Sequence, residues 1–351
     1  MGFSKQDLMP ETNILLAGNN QFTLEQVMLI LRQDHDDQTA EKLMRQFCLH
    51  STSKEISKKG MEFLYMNGHY EDLKQLIAKN MLSENPSNRD WARVYQLTMD
   101  RKDKRYPPRE ILRQAERMKT DEMELKLLIE FLKISAYYDL NEYREIGNFL
   151  DKHQYLFEMI EDRFLLSFFN MRLYQYLFIY FWLGNELIIA RKYAFRQLNG
   201  TRNPATMASI HVKLGLTYIF DSYFQSMHHT KEALKIAKKH NLPKMIKIIE
   251  ENNIPFIAAH FKEVDGISTP DLSEQAHIEI AKGNLKKADE ILSNITIDSP
   301  FGIYYLGMAR QDKNILLQAY NNFVEKRSDY FFSRLPLKAL KEMGGTPTMK
   351  A

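Results

Sequence analysis

Only one cysteine, Cys48, occurs in 351 residues, so no internal disulfide can form. With no basic-then-apolar secretory pattern at the N-terminus, this composition predicts a reducing, cytoplasmic setting. Glycine and proline are scarce, at 14 and 11 residues, which excludes collagen-like and low-complexity architectures. No alternating run of β-branched residues is bounded by a two-residue turn, so strands are not expected. Charge of one sign is nearly balanced out: a formal +3 announces neither nucleic-acid nor membrane binding, and any such role must come from local clusters. Two basic clusters exist, six lysines against one acid from Lys231 to Ile249 and five basic residues against one acid from Arg101 to Arg109. Solvated helix faces and linkers are the simpler account of both.

Long hydrophobic runs are also missing. The best one, Phe164 to Leu183, is interrupted by Asn170, Arg172 and Gln175, which fits a buried helix and not a membrane span. Motifs for catalysis are absent: there is no phosphate-cradling glycine loop, no nucleophile elbow, no His-Glu-x-x-His and no spaced cysteine pair. The chain is therefore expected to be no enzyme and to need no cofactor. The one histidine pair, His228-His229, points its rings to different sides of a helix, against joint metal ligation. Cys48, between Phe47 and Leu49, has no neighbour to activate a thiol and is expected to pack in the core.

What is present is helix periodicity. Leu214-Gly215-Leu216-Thr217-Tyr218, followed by Ala233 and Ala237, matches a tetratricopeptide-type helix pair. The glycine admits a close helix, the tyrosine fills the gap between pairs, and the alanines sit where backbones cross. Related units are Leu183-Gly184 with Ala190 and Ala194, Ala276 to Gly283 with Ala288, and Leu306-Gly307 with Ala319 and Phe323. Uneven spacing implies an extra helix around Pro243 to Val264. Upstream, Tyr65 to Asn80 and Ala136 to His153 have the pattern of helix, turn, helix, with corners near Gly68 and Asp139. The expected fold is all-α, a right-handed superhelix of degenerate tetratricopeptide-type pairs over 51–351.

Residues 1–50 differ. Pro10 to Asn20 and then Phe22-Thr23-Leu24-Glu25-Gln26, with Thr23 as cap and Gln26 three positions on, resemble the second half of a helix-turn-helix whose first helix is reduced. Asn13, Asn19, Asn20 and Gln21 are the residues expected on or beside a DNA recognition helix. Residues 1–60 hold seven basic against eight acidic groups, a weak electrostatic basis for DNA contact. In the body, positions 172, 176, 179 and 183 share one helix face and 205, 209, 213 and 216 another. Arg172, Tyr176 and Lys213 are then either polar points of a peptide groove or partners of acids on neighbouring helices.

With these segments in order, the chain resembles the arbitrium receptors, by which temperate phages sense a short secreted peptide when choosing between lysis and lysogeny. The resemblance runs from about Thr12 to Gly344. It rests on Tyr70-Glu71-Asp72-Leu73 leading to Arg93-Val94-Tyr95, on Asp271-Leu272-Ser273-Glu274-Gln275-Ala276-His277, and on Asp329 followed by Arg334-Leu335-Pro336-Leu337. It implies a transcription regulator whose superhelical body grips a short signalling peptide and thereby alters binding to a DNA operator. Glu274 and Asp329 match acidic groove positions suited to a basic peptide residue. Ser273 matches a further groove position, as do Ile179, Leu183, Ala205 and Leu216, and such departures imply a different peptide. The polar stretch Gly344 to Ala351 stands where those receptors have an apolar pairing helix, so a homodimer, if formed, would use another surface. The competing expectation is a helical-repeat module that has lost DNA binding and acts by sequestering a protein.

Overall fold

The structure, a computed structural model, describes residues 22–344, apart from the side chains of residues 152–154. Asn13, Asn19, Asn20 and Gln21 lie outside the described residues. Every regular element among those described is helical and no strand occurs. In order they are α1 (Leu24–Asp34), α2 (Asp37–His50), α3 (Lys54–Asn67), α4 (Tyr70–Met81), α5 (Pro86–Lys102), α6 (Pro108–Arg117), α7 (Met123–Asp139) and α8 (Arg144–Glu158). Then follow α9 (Arg163–Leu183), α10 (Leu187–Gly200), α11 (Pro204–Thr217), α12 (Tyr223–Lys239), α13 (Pro243–Ile248) and α14 (Ile254–Phe261). The last are α15 (Leu272–Ala281), α16 (Leu285–Ser293), α17 (Pro300–Arg310), α18 (Lys313–Asn321) and α19 (Arg334–Glu342).

The helix starts follow the sequence signals. Thr23 caps α1 in a capping box: its hydroxyl accepts from the Gln26 N–H at 3.2 Å, and its own N–H donates to Gln26 Oε1 at 2.8 Å. Proline occupies the first turn of α5, α6, α11, α13 and α17, where its missing N–H has no intrahelical partner to lose. Gly68 ends α3 in the left-handed region at φ 85°, a conformation that glycine alone adopts without strain.

The chain divides into two compact units, Met1–Leu140 with Glu145–Leu173, and Asn141–Arg144 with Tyr174–Ala351. In the first, Phe63, Trp91, Tyr95, Phe131 and Phe169 are fully buried, and α1 and α2 belong to the same unit as the helices that follow them. In the second, α11 with α12, α15 with α16 and α17 with α18 form successive helix pairs, each packed on its neighbours. Ala190, Ala194, Ala233, Ala237, Ala276, Ala288 and Ala319 are all 0% exposed, as crossing points between backbones require. The segment from Pro243 to Phe261 is one helical stretch, but a π-turn at Ile249–Asn253 interrupts it. A second π-turn, Asn322–Lys326, follows α18.

Gly215 shows why the repeat motif demands glycine. A Cβ there would lie 2.5 Å from Thr230 Oγ1 and 2.8 Å from the Ser226 carbonyl oxygen, and Ser226 Oγ already donates to the Gly215 carbonyl at 2.7 Å. The Thr230 hydroxyl could rotate, but the Ser226 backbone could not. Gly215→Ala should therefore force α11 and α12 apart and cost about 1 to 3 kcal/mol. Urea unfolding should show a lower midpoint at unchanged slope, whereas an unshifted midpoint would mean that the pair has slack.

Candidate functional site

Polar chemistry in the second unit gathers where α15 faces α17. Asp271 accepts the Glu274 N–H at 3.0 Å and so starts α15, leaving Glu274 in the first turn, where its charge favours the helix dipole. His277, one turn on, approaches the Glu274 carboxylate through Nδ1 at 3.4 Å. Tyr305 of α17 donates its hydroxyl to the other carboxylate oxygen at 3.1 Å and stacks on the His277 ring at 4.3 Å. Burial first, and the Glu274 carboxylate second, hold the Tyr305 hydroxyl well above its ordinary pKa, so it remains a hydrogen-bond donor. The Glu274 side chain is 12% exposed: it keeps access to a ligand while its orientation is fixed by two neighbours.

His277 also lines a cleft of about 300 Å³ with His260, Tyr304, Gln311, Lys338 and Glu342. His260 is pushed down to about 4, chiefly by burial and then by His277 and Lys338, so it is neutral at physiological pH. Cleft and carboxylate thus meet at one imidazole. The sequence motif from Asp271 to His277 marks this place, but Tyr305 and His260 carry no signal of their own beyond being aromatic and buried.

Asp329 belongs to the segment after the second π-turn. This segment is anchored to the end of α9, because the Leu183 carbonyl accepts from the N–H groups of both Tyr330 and Phe331. One Asp329 oxygen accepts from the Phe332 N–H at 2.9 Å. The residue is 3% exposed and burial pushes its carboxyl up to about 7, against the opposing effects of the Phe332 N–H and the Arg327 charge. No ion pair to Asp329 occurs among the described residues. Arg334 does not serve it: that guanidinium donates to Asn185 Oδ1 at 3.0 Å and lies 4.0 Å over the Phe220 ring. Phe332, which donates to Asp329, packs on Phe256, and Phe256 packs on His277. The two acids are thus supported by one aromatic core.

The remaining expected groove residues are placed differently. Arg172 lies in the first unit, 11% exposed, with Nε and Nη2 donating to the two oxygens of Glu62 at 2.8 and 2.7 Å. Its other face covers the Tyr65 ring at 4.6 Å. Burial opposes its charge, but the Glu62 carboxylate outweighs that and raises its pKa further. The guanidinium is therefore satisfied by an acid on a neighbouring helix. Tyr176, Ile179 and Leu183 are buried in the second unit at 4%, 0% and 5% exposure, so helical spacing identified a shared face that turns out to be covered. In contrast, the stripe of Ala205, Ser209, Lys213 and Leu216 is half-exposed along its length, with Lys213 Nζ donating to Ser209 at 2.9 Å. Ser273 is half-buried beside Glu274. Cys48 is buried and its thiol is pushed up by burial, which leaves it unreactive. Among the described residues no helix is long and apolar enough to cross a membrane, and no histidine, cysteine and carboxylate cluster could hold a metal ion.

Residues 40–342 match the family model described as AimR transcriptional regulator-like. The AimR transcriptional regulator of Bacillus phage SPbeta is 21% identical over 328 residues, 91% of this chain and 84% of that protein. An uncharacterized protein of Bacillus anthracis is 26% identical over 237 residues, 64% of this chain and 87% of that one. Among solved structures, phAimR with ligand superposes at a TM-score of 0.77, with 21% identity, 93% of this chain and 99% of that chain covered. Selenomethionine phAimR superposes at 0.66, with 20% identity and coverage of 91% and 85%. At these identities the structural likeness establishes the fold alone.

Proposed function

Since the chain belongs to the AimR transcriptional regulator-like family, we propose that it is an intracellular receptor for a short signalling peptide, and that peptide capture in the second unit alters its binding to a DNA operator in arbitrium-type control of lysis and lysogeny. The observation that carries the peptide part is Asp329, a buried carboxyl that forms no ion pair among the described residues, the Arg327 charge acting on it without contact. A buried charge is ordinarily paired, and a basic peptide side chain would complete this one. Glu274, oriented by Tyr305 and His277, is the second acid for the same peptide. Lys213 and Ser273 offer a cation and a hydroxyl for its carboxylate end and backbone. Arg172 is committed to Glu62 in the first unit and Tyr176 is buried in the second, so neither is assigned a peptide contact.

Glu274→Gln keeps the shape and the Tyr305 hydrogen bond but removes the charge. Titration calorimetry with the peptide encoded by a small neighbouring reading frame should show affinity reduced about tenfold, with thermal stability nearly unchanged. The same variant should show a smaller preference for an arginine peptide over the citrulline analogue, because Asp329 remains. Equal affinity for both peptides in the unmodified protein would remove the acidic pair from the site. Gel shifts on the gene's own upstream region, with and without peptide, test the regulatory half. The balanced charge of residues 1–60 favours a second reading, a module that has lost DNA binding and acts by protein sequestration. Absence of any shift would decide for it.

A further inference from the structure

Residues 1–60 carry no net positive charge, so the segment expected to read bases supplies no attraction to phosphate. Residues 101–119, within the first unit, hold eight basic groups against three acidic ones. The helix at their centre, α6, buries Ile111 and Ala115 completely against Leu97, Leu132 and Ala136. Arg109, Arg113 and Arg117 recur at four-residue intervals on the side opposite that stripe, each about 6 Å further along the axis. All three are exposed, and exposed Lys104 and Lys119 extend the row at either end. Arg109 and Arg117 form no ion pair among the described residues, while Arg113 meets Glu110 of its own helix. The loop before α6 is fixed by Arg105 on Asp100 at 3.0 Å and by the rigid Pro107-Pro108, so the row is held in place.

We propose that the α6 arginine row grips the phosphate backbone of duplex DNA without reading its sequence. Guanidinium matches phosphate oxygens in a bidentate fork, which lysine cannot do. Carboxylates fit the same fork, and duplex DNA is favoured over an acidic protein because residues 1–60 of this regulator-family chain supply no net positive charge for phosphate. The inference rests on the DNA-binding reading above and divides the work: affinity comes from α6 and selectivity from elsewhere.

The test is fluorescence anisotropy of the full chain on two duplexes of equal length, the gene's upstream region and a scrambled sequence, between about 50 and 200 mM salt. With R109Q/R113Q/R117Q, affinity should fall about tenfold or more on both duplexes. The slope of log K against log salt should become shallower by about 2.7, the loss expected for three phosphate contacts, with the affinity ratio between duplexes preserved. All three positions are exposed and glutamine is a good helix former, so an unchanged melting temperature is expected and certifies the fold. An unchanged salt slope overturns the proposal and leaves the regulator reading standing. Equal binding of both duplexes, with the slope lost in the variant, supports the row and defeats sequence-selective regulation. Failure of the unmodified protein to bind either duplex at the lowest salt overturns both. If polyglutamate competes as well as DNA, the row is a general anion surface and the phosphate assignment falls.

Discussion

Replacing Glu62 by glutamine is expected to cost the first unit about 3 to 5 kcal/mol. Glu62 is fully buried and accepts both guanidinium bonds of Arg172, and its Oε2 also accepts from the Tyr95 hydroxyl at 2.6 Å. Three helices, α3, α5 and α9, are thereby joined at one carboxylate. Glutamine retains the volume and can still accept from Tyr95. It leaves Arg172 charged in a site from which water is excluded, and that uncompensated charge is the source of the loss. The double variant Glu62→Gln with Arg172→Met removes both charges together while the glutamine still accepts from the Tyr95 hydroxyl, and it should recover most of the loss. Urea unfolding of the two singles and the double closes the cycle. A single-variant loss below about 1 kcal/mol would mean that the pair behaves like one at the surface.

Asp329→Asn should move binding and stability in opposite directions. For a basic peptide, loss of a charge-assisted bond in a desolvated site weakens affinity by about thirtyfold or more. Without peptide the same change should stabilise the protein near pH 7.5. The folded-state carboxyl titrates at about 7 and the ordinary value is 3.8, so between these limits the folded protein binds more protons than the unfolded chain. Stability contributed by this group is therefore greatest at low pH and falls as pH rises through that interval, then levels off above it. The variant should lack this slope and gain at neutral pH, with an upper bound on the order of 4 kcal/mol. Its side-chain oxygen can still accept from Phe332. Peptide binding to the parent protein near pH 6 should also release a proton as Asp329 ionises, visible as a buffer-dependent heat that the variant loses. Unchanged affinity combined with reduced stability would assign Asp329 to capping alone.

Much of the fold was legible in the sequence because its causes are local. The capping box at Thr23, the prolines in first turns, and the glycine and alanines of the α11 and α12 pair act through neighbours within a few residues or through sterics that only small side chains satisfy. The extra helix near Pro243 was legible too, but its π-turn was not, since the widened turn answers to packing on both sides. The candidate site was legible in its acids and not in their surroundings. Glu274 and Asp329 are singled out by the family resemblance, whereas the burial of Asp329 depends on Leu183 and Phe332, and the commitment of Arg172 depends on an acid 110 residues away. Helical spacing shows which residues share a face; only the tertiary contacts show whether that face is covered.

The π-turn at Ile249–Asn253 takes up one residue of coding length between two cores. Before it, Ile249 joins Ala208, Ala233 and Ala237 in one small core; after it, Phe256 and Ile257 join the large core that contains Phe331 and Phe332. A wide turn of this kind holds one residue more than a regular helix, so it resets the angular phase between the two halves by about 100°. Loss of one codon there would restore a regular helix and leave Phe256 facing His277 and Phe332, whereas loss of a residue with the wide turn kept would rotate the two halves by about 100° relative to each other. Helix ends and exposed loops elsewhere tolerate gains and losses of residues; inside this stretch the wide turn takes up one residue, so that both cores keep the side chains that fill them.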